Sequence, residues 1–526
     1  MLSIVPVVLL VLSVSMVREQ GPWSLHNADP EFCYLFNSLN LLTAHYPDHT
    51  DHPGTTLQEF GAVIEFGKWI MDKAQGEGAS LVRTVLSRPN DYLRAINLGI
   101  VVFAALAIFA AGFRMFLLCG SLFAALILQA SVLMFHQTVL ALPRVSPEPF
   151  LIGVGFALML PLIPELLGKE RNPNRASLVT GAIFGFGMVT KVTFLPMAAT
   201  AALLKGEKHF RRFALSAGAA IVFFALPIYT KVPRVLAWLT SLVTHTGIYG
   251  KGPAGIPSGE QWLSNLGRLL SDEPLIFVVL AFYLAALAAL RFAARDPLTD
   301  SVRRLLYVAS AALTVQLAMT LKHYNARYML PSLVFCALAN GFLALLLSSR
   351  SLPIGVRQAF SIAGAAVLIL GAVGLRSTAE KWRENSASQQ AAAEKMSELR
   401  AQQGDCLVVS YYGGSTPDFA LALGNDYSAG DHSKVLIELY SDRIIYDLFG
   451  GGFWSYSHHS RTRQVHDLVD SGRCVLMEGR TLPAGSKLDS EFLMEPIATA
   501  GDETLYRLST APPAMARILP GGFSAR

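Results

Sequence analysis

Long apolar runs constrain this chain more than any other feature. Ile100–Ala111 holds twelve consecutive residues without a polar side chain. A helix needs roughly 20 mostly apolar residues to cross a bilayer, and about 17 suffice. About eleven segments approach that requirement, at 2–17, 95–113, 116–135, 149–167, 177–190, 192–204, 213–229, 274–292, 305–321, 328–348 and 358–375. Composition agrees: 52% of the 526 residues are hydrophobic and 15% are charged. A soluble domain carries about 25% charged residues, so an ordinary soluble enzyme is excluded, as are a disordered chain and a disulfide scaffold. The net charge of +5 is modest. Its basic residues sit in short clusters between apolar runs, which is membrane topology and not a nucleic-acid footprint.

Those clusters orient the chain. Lys169, Arg171 and Arg175 precede the stretch 177–204, and Lys205, Lys208, Arg211 and Arg212 follow it. Basic loops stay cytoplasmic, so the segment must go out and return, as two short helices meeting near Lys191. Arg291, Arg295, Arg303, Arg304, Arg350 and Arg357 then fall inside as well. The N-terminus is cytoplasmic and the C-terminal region external. Residues 1–17 lack a basic n-region and a good cleavage site, which favours an uncleaved first helix over a signal peptide.

The expected fold class is mainly α: a polytopic membrane domain over 1–375, with an external soluble α/β domain over 376–526. The external loop 18–94 contains an amphipathic stretch, Leu57–Met71, expected to lie at the interface. Residues 230–272 are expected to be mostly loop, because Gly and Pro crowd 250–259. In the C-terminal region, 379–402 reads as helix. Strands are expected at Cys406–Tyr412, Arg443–Phe449, Cys474–Glu478 and Thr504–Leu508, with a Gly-Gly turn after the first and a helix near Asp418–Leu423. Cys406 and Cys474 each open a strand, and either a bridge or two buried thiols fits that placement.

The first external loop carries the densest chemistry. Four of the 12 histidines, His26, His45, His49 and His52, lie there with Asp29, Glu31, Asp48 and Asp51. Asp29 and Glu31 follow the first helix closely. An acid beside apolar walls is desolvated and tuned as a base, although Asp29-Pro30 also reads as a plain helix start. His45, His49, His52, Asp48 and Asp51 could hold a divalent cation, but their spacing matches no strong motif, so the metal stays open. Glu148 opens the fourth apolar run, Lys191 tips the short hairpin, and His323, Arg327 and Tyr328 lie in a short loop between two later runs. Charges near hydrocarbon are costly and often functional. One topology puts all of them on the same outer face. A cytoplasmic ATP-driven enzyme would need a Walker loop, and none is present.

Taken in order, these residues resemble the GT-C superfamily of membrane glycosyltransferases, in the branch of protein O-mannosyltransferases and aminoarabinose transferases. Asp29-Pro-Glu31-Phe-Cys-Tyr34 occupies the place of that family's acidic motif. His52-Pro53-Gly54 resembles its His-Pro-Pro element, and Ser146-Pro-Glu148 its acidic patch at the fourth helix. Gly181–Gly187 with Thr190-Lys191 resembles its Gly-rich helix, and Arg327-Tyr328-Met-Leu-Pro331 its late Arg-Tyr element. Gly54 replaces a proline, and Pro30 separates acids that many members hold adjacent.

The resemblance implies an inverting hexosyl or pentosyl transfer from a polyprenyl-phosphate sugar, beside membrane lipid, to a glycan, lipid or protein acceptor on the external face. Asp29 is the expected base, with Glu31 the alternative. Arg327, Lys191, His323 and Tyr328 are expected at the donor phosphate, and His52, Tyr34 and Glu148 position substrate. The implied location is a bacterial inner membrane with a periplasmic C-terminal domain, and no nucleic acid is involved. The rival reading is a transporter or flippase of a lipid-linked glycan. It expects internal repeats and charges near the membrane midplane, whereas no repeat is visible here.

Overall fold

The computed structural model describes the chain except residues 26–28, 77–78, 248–249, 293–295, 350, 412–415, 442, 448–451, 457–459, 481–487 and 511–526. His26, Arg295, Arg350 and the Gly-Gly turn expected after Cys406–Tyr412 therefore lie outside the described residues. The chain forms two compact units. The first comprises Met1–Val17, Tyr46–Ile64 and Arg94–Trp382; the second comprises Arg18–His45, Glu65–Leu93 and Arg383–Arg526.

The first unit is helical. Five helices are long and apolar enough to cross a membrane: Pro89–Cys119, Pro147–Leu166, Pro297–Lys322, Ala326–Ser348 and Ile354–Gln402. Two further pairs qualify as single broken spans: Glu207–Phe224 with Leu226–Thr244, bent by 79°, and Gly259–Asp272 with Leu275–Ala289, bent by 93°. The molecule is an integral membrane protein of the expected class. The count of eleven is not reached by length, because several apolar segments are short. Ile4–Gln20 has 17 residues, and Val192–Leu203 is 12 residues of 3-10 helix. Residues 230–272 are not mostly loop. They hold the helices Val232–Thr244 and Gly259–Asp272, and the Gly/Pro cluster marks only the connection between them.

Local chemistry explains where these helices start. Ser146 precedes Pro147 in extended conformation, and proline at the first helical position costs no hydrogen bond. Asn172 and Asp296 cap helices Pro173–Thr190 and Pro297–Lys322 through their side chains. Close packing explains the Gly-rich run. A Cβ on Gly181 would sit 2.3 Å from the Phe213 carbonyl oxygen, and one on Gly185 2.4 Å from that of Ala217. Helix Glu207–Phe224 can thus lie backbone to backbone on helix Pro173–Thr190. At Gly187 a Cβ would meet the Phe194 ring at 2.4 Å, so glycine here lets the chain fold back just beyond Lys191.

The second unit contains a six-stranded mixed sheet of β1 (Leu407–Tyr411), β2 (Ile444–Tyr446), β3 (Phe453–Trp454), β4 (Val475–Arg480), β5 (Phe492–Ala500) and β6 (Glu503–Thr510), in the order β3-β2-β1-β4-β6-β5. β1 runs parallel to β2 and β4, and the remaining pairs are antiparallel. Alternation along the central strands fills both faces. Val409, Tyr411, Val475 and Met477 join one core with Phe453 and Val465. Leu476 and Leu505 join the other with Met396, which lies on the last part of the 49-residue helix Ile354–Gln402. Cys406 and Cys474 are bridged, with Cα atoms 4.7 Å apart at the starts of the paired strands β1 and β4. Helix Glu31–Leu42 belongs to this unit. Asn37 Nδ2 donates to the Tyr427 carbonyl at 2.8 Å, and Asn40 Nδ2 donates to that of Ser428 at 3.2 Å.

Candidate functional site

The site in the first unit is organised by the break at Lys191. Helix Pro173–Thr190 ends, Lys191 is extended (φ −163°, ψ 134°), and the 3-10 segment begins at Val192. Residues 52–56 are bonded across this break. Gly54 N donates to the Val189 carbonyl, and Val192 N to that of His52, each at 3.0 Å. The Thr56 and Thr190 hydroxyls are 2.6 Å apart. His52 takes φ +98°, the left-handed region that a non-glycine residue rarely enters. Backbone strain of this kind persists only where the surroundings over-determine it, and the bond to Val192 is part of that constraint.

Three charged side chains from three separate elements converge beside the break. Glu148 comes from the first turn of Pro147–Leu166, and Arg327 from the short turn Ala326–Met329, its own backbone N–H donating to the Asn325 side chain. Lys191 Nζ lies 2.5 Å from Glu148 Oε1, and Arg327 Nε lies 3.7 Å from the same oxygen. Lys191 Nζ also stands 4.8 Å over the Tyr328 ring. The Glu148 and Lys191 side chains are each 4% exposed, whereas that of Arg327 is 31% exposed. Glu148 thus faces two cations, of which the Arg327 guanidinium is the more exposed. A planar guanidinium presented this way suits phosphate or carboxylate.

The neighbouring imidazoles add no charge at neutral pH. Burial pushes His49 down to about 4, with Arg234 and Lys191 acting in the same direction against Asp51 and Asp48. Burial, reinforced by Lys191, also holds His52 well below the usual histidine range. The His52 ring packs edge-on against Trp238, with centroids 5.2 Å apart. Asp48 pairs with Lys231 at 2.6 Å and with Arg234 at 3.4 Å.

Glu148, Lys191, Arg327, Tyr328 and His52 are thus brought together, as their placement at one rim implied. His323 is used differently. Its Nδ1 and Nε2 each lie 2.7 Å from a backbone carbonyl oxygen, of Gly247 and Leu242 respectively, so the ring ties down the end of helix Val232–Thr244. The proposed metal ligands diverge. Asp48 is taken up in ion pairs, His49 is buried, His52 is half-buried against Trp238, and His45 packs against His432 in the second unit. Among the described residues no three His, Cys, Asp or Glu side chains converge as a ligand set.

Asp29, Glu31 and Tyr34 belong to the second unit. Glu31 opens helix Glu31–Leu42 and is fully buried, Tyr34 is buried one turn on, and Asp29 is exposed. Sequence reasoning missed Trp238, Lys231 and Arg234. Their signal was the helical spacing of Val235, Trp238, Leu239 and Leu242, obscured by the glycines that follow.

No protein-family model matches the chain, and none of the curated proteins matches it. Among solved structures it is similar to ArnT from Cupriavidus metallidurans in the apo state, at 11% identity over 95% of this chain and 97% of that one, with a TM-score of 0.50. The same protein bound to undecaprenyl phosphate gives 11% identity over 95% and 96%, with a TM-score of 0.49. The mycobacterial arabinofuranosyltransferase AftD, at 14% identity over 79% of this chain and 35% of that one, gives 0.33. At such identities the apo likeness is one of fold alone: the chain has a fold similar to that of ArnT.

Proposed function

We propose that this protein is a membrane glycosyltransferase that moves a sugar from a polyprenyl-phosphate donor to an acceptor on the external face. The observation that carries the reading is the convergence of Glu148, Lys191 and the partly exposed Arg327 guanidinium on an ArnT-like fold. In the proposed reaction an acceptor hydroxyl attacks the anomeric carbon as the bond from that carbon to the phosphate oxygen breaks. The bonding pair leaves with polyprenyl phosphate, which gains one negative charge. Arg327 meets that charge as it develops, where a preorganised donor is worth most. Glu148 fixes Lys191 and orients Arg327, and His52, held neutral and strained, positions donor or acceptor.

A one-step displacement inverts the anomeric centre. Asp29 takes the acceptor proton, with Glu31 as the alternative base. A polyprenyl phosphate is the carrier assigned here. The Cys406–Cys474 bridge supports an external C-terminal unit, since disulfides persist in oxidising compartments. The N-terminus is then cytoplasmic, in an inner membrane. The transporter or flippase reading draws on the two broken helices and predicts translocation of a lipid-linked glycan without sugar transfer.

The test is transfer of labelled sugar from polyprenyl-phosphate donors in membranes holding equal amounts of wild type, Asp29→Asn, Glu31→Gln or Arg327→Ala. Transfer by wild type and its loss in Arg327→Ala supports the reading. The acid variant that loses transfer names the base. Glycan translocation by wild type, with no transfer from any donor, would favour the rival.

A further inference from the structure

The elements that build the Glu148 cluster also build a cavity at their far ends. Helix Pro147–Leu166 carries Glu148 in its first turn and Leu166 at its last residue, about 27 Å apart at ~1.5 Å per residue. Lys191 precedes the segment Val192–Leu203, and Lys205 follows it. Arg327 lies just beyond helix Pro297–Lys322, whose first two turns hold Asp300, Arg303 and Arg304. Leu166, Lys205, Asp300, Arg303 and Arg304 line a single cavity of about 1090 Å³, which shares no residue with the cluster.

Its charges are unequally engaged. Asp296 caps the Pro297 helix, accepting from the Leu298 and Thr299 amides and the Thr299 hydroxyl. Arg303 pairs with Asp300 at 3.0 Å and donates its second arm to the Leu290 carbonyl. Arg304 and Lys205 have no hydrogen-bond or ion-pair partner among the described residues. Beside them the wall turns apolar, with Leu166, Leu167 and Leu345. Two uncommitted cations beside a leucine wall call for an anion that carries hydrocarbon, since a small hydrated anion gains nothing from the leucines.

The geometry points to a binding site for an anionic phospholipid: its phosphate between Arg304 and Lys205, its first chain carbons on the leucines. The site lies at the end of the helices that carries the basic loops, which the positive-inside rule assigns to the cytoplasmic leaflet. It does not depend on the glycosyltransferase reading.

Native mass spectrometry of the full chain in detergent tests it, titrating dioleoylphosphatidylglycerol, dioleoylphosphatidylcholine and inorganic phosphate in parallel. Wild type is expected to retain phosphatidylglycerol in preference to phosphatidylcholine. Lys205→Ala/Arg304→Ala weakens that retention at least about tenfold, and the charge-preserving Lys205→Arg/Arg304→Lys keeps it. Arg327→Ala, at the other rim, also keeps it. Equal retention of the two lipids, or unchanged phosphatidylglycerol binding in the double alanine variant, would overturn the proposal. So would inorganic phosphate that binds as tightly as the lipid and displaces it, because the apolar wall would then play no part.

Discussion

Lys191 Nζ sits 2.5 Å from Glu148 Oε1, and both side chains are almost entirely buried. Breaking a buried pair leaves an uncompensated charge and costs about 3–5 kcal/mol, whereas replacing both partners costs far less. Lys191→Met is therefore expected to lower thermal stability in detergent sharply, and Lys191→Met/Glu148→Gln to recover most of the loss. Equal stability of the two variants would show that the pair is not coupled.

Two glycines on packed helices give opposite expectations. A Cβ on Gly181 meets the Phe213 carbonyl at 2.3 Å, while one on Gly218 has nothing within 4 Å. Gly181→Ala is expected to destabilise by about 1–3 kcal/mol through overpacking. Gly218→Ala stabilises by about 0.5–1 kcal/mol, because alanine loses less entropy in a helix. Denaturation of the two variants side by side checks the sign.

Acid should unfold the first unit through His49. Its pKa falls from 6.5 unfolded to about 4 folded, chiefly through burial. Between those values the unfolded chain binds more protons, so stability is full above pH 6.5 and is lost as pH falls toward 4, by about 3 kcal/mol in all. His49→Gln is expected to flatten the stability profile in that window. An unchanged slope would mean that the ring is not buried in the native state.

Reduction should weaken the second unit. The Cys406–Cys474 bridge closes a loop across a separation of 68 residues, and bridges of this kind contribute about 2–4 kcal/mol. Cys406→Ser/Cys474→Ser is expected to lose protease resistance in 383–510 while the helical unit keeps its own. Equal resistance with and without the bridge would contradict this.

What the sequence disclosed follows from cost. A charge at the edge of an apolar run is expensive, so Glu148, Lys191 and Arg327 stood out before any fold was known, and the basic flanks of 177–204 placed the break at Lys191. Nonlocal bonds left no such trace. Nothing near Asn37 or Asn40 announces that their amides meet the carbonyls of Tyr427 and Ser428, so the sequence alone places residues 18–45 with the membrane domain. The cysteine pairing depended on strand adjacency, which spacing alone does not give. Strand β5 was missed because Pro496 interrupts it, and it is an edge strand with an irregular register at Pro496/Ala498. The left-handed backbone of His52 was invisible, since positive φ leaves a signature only where glycine answers it.

The central claim is that Arg327 stabilises the departing polyprenyl phosphate. It is tested most directly by measuring released polyprenyl phosphate against sugar transferred, in single turnovers by wild type, Arg327→Lys and Arg327→Ala. The account predicts equal release and transfer in wild type. It also predicts a fall of roughly 10²–10³ in the rate of Arg327→Ala, with partial recovery in Arg327→Lys. A wild-type rate in Arg327→Ala would contradict it.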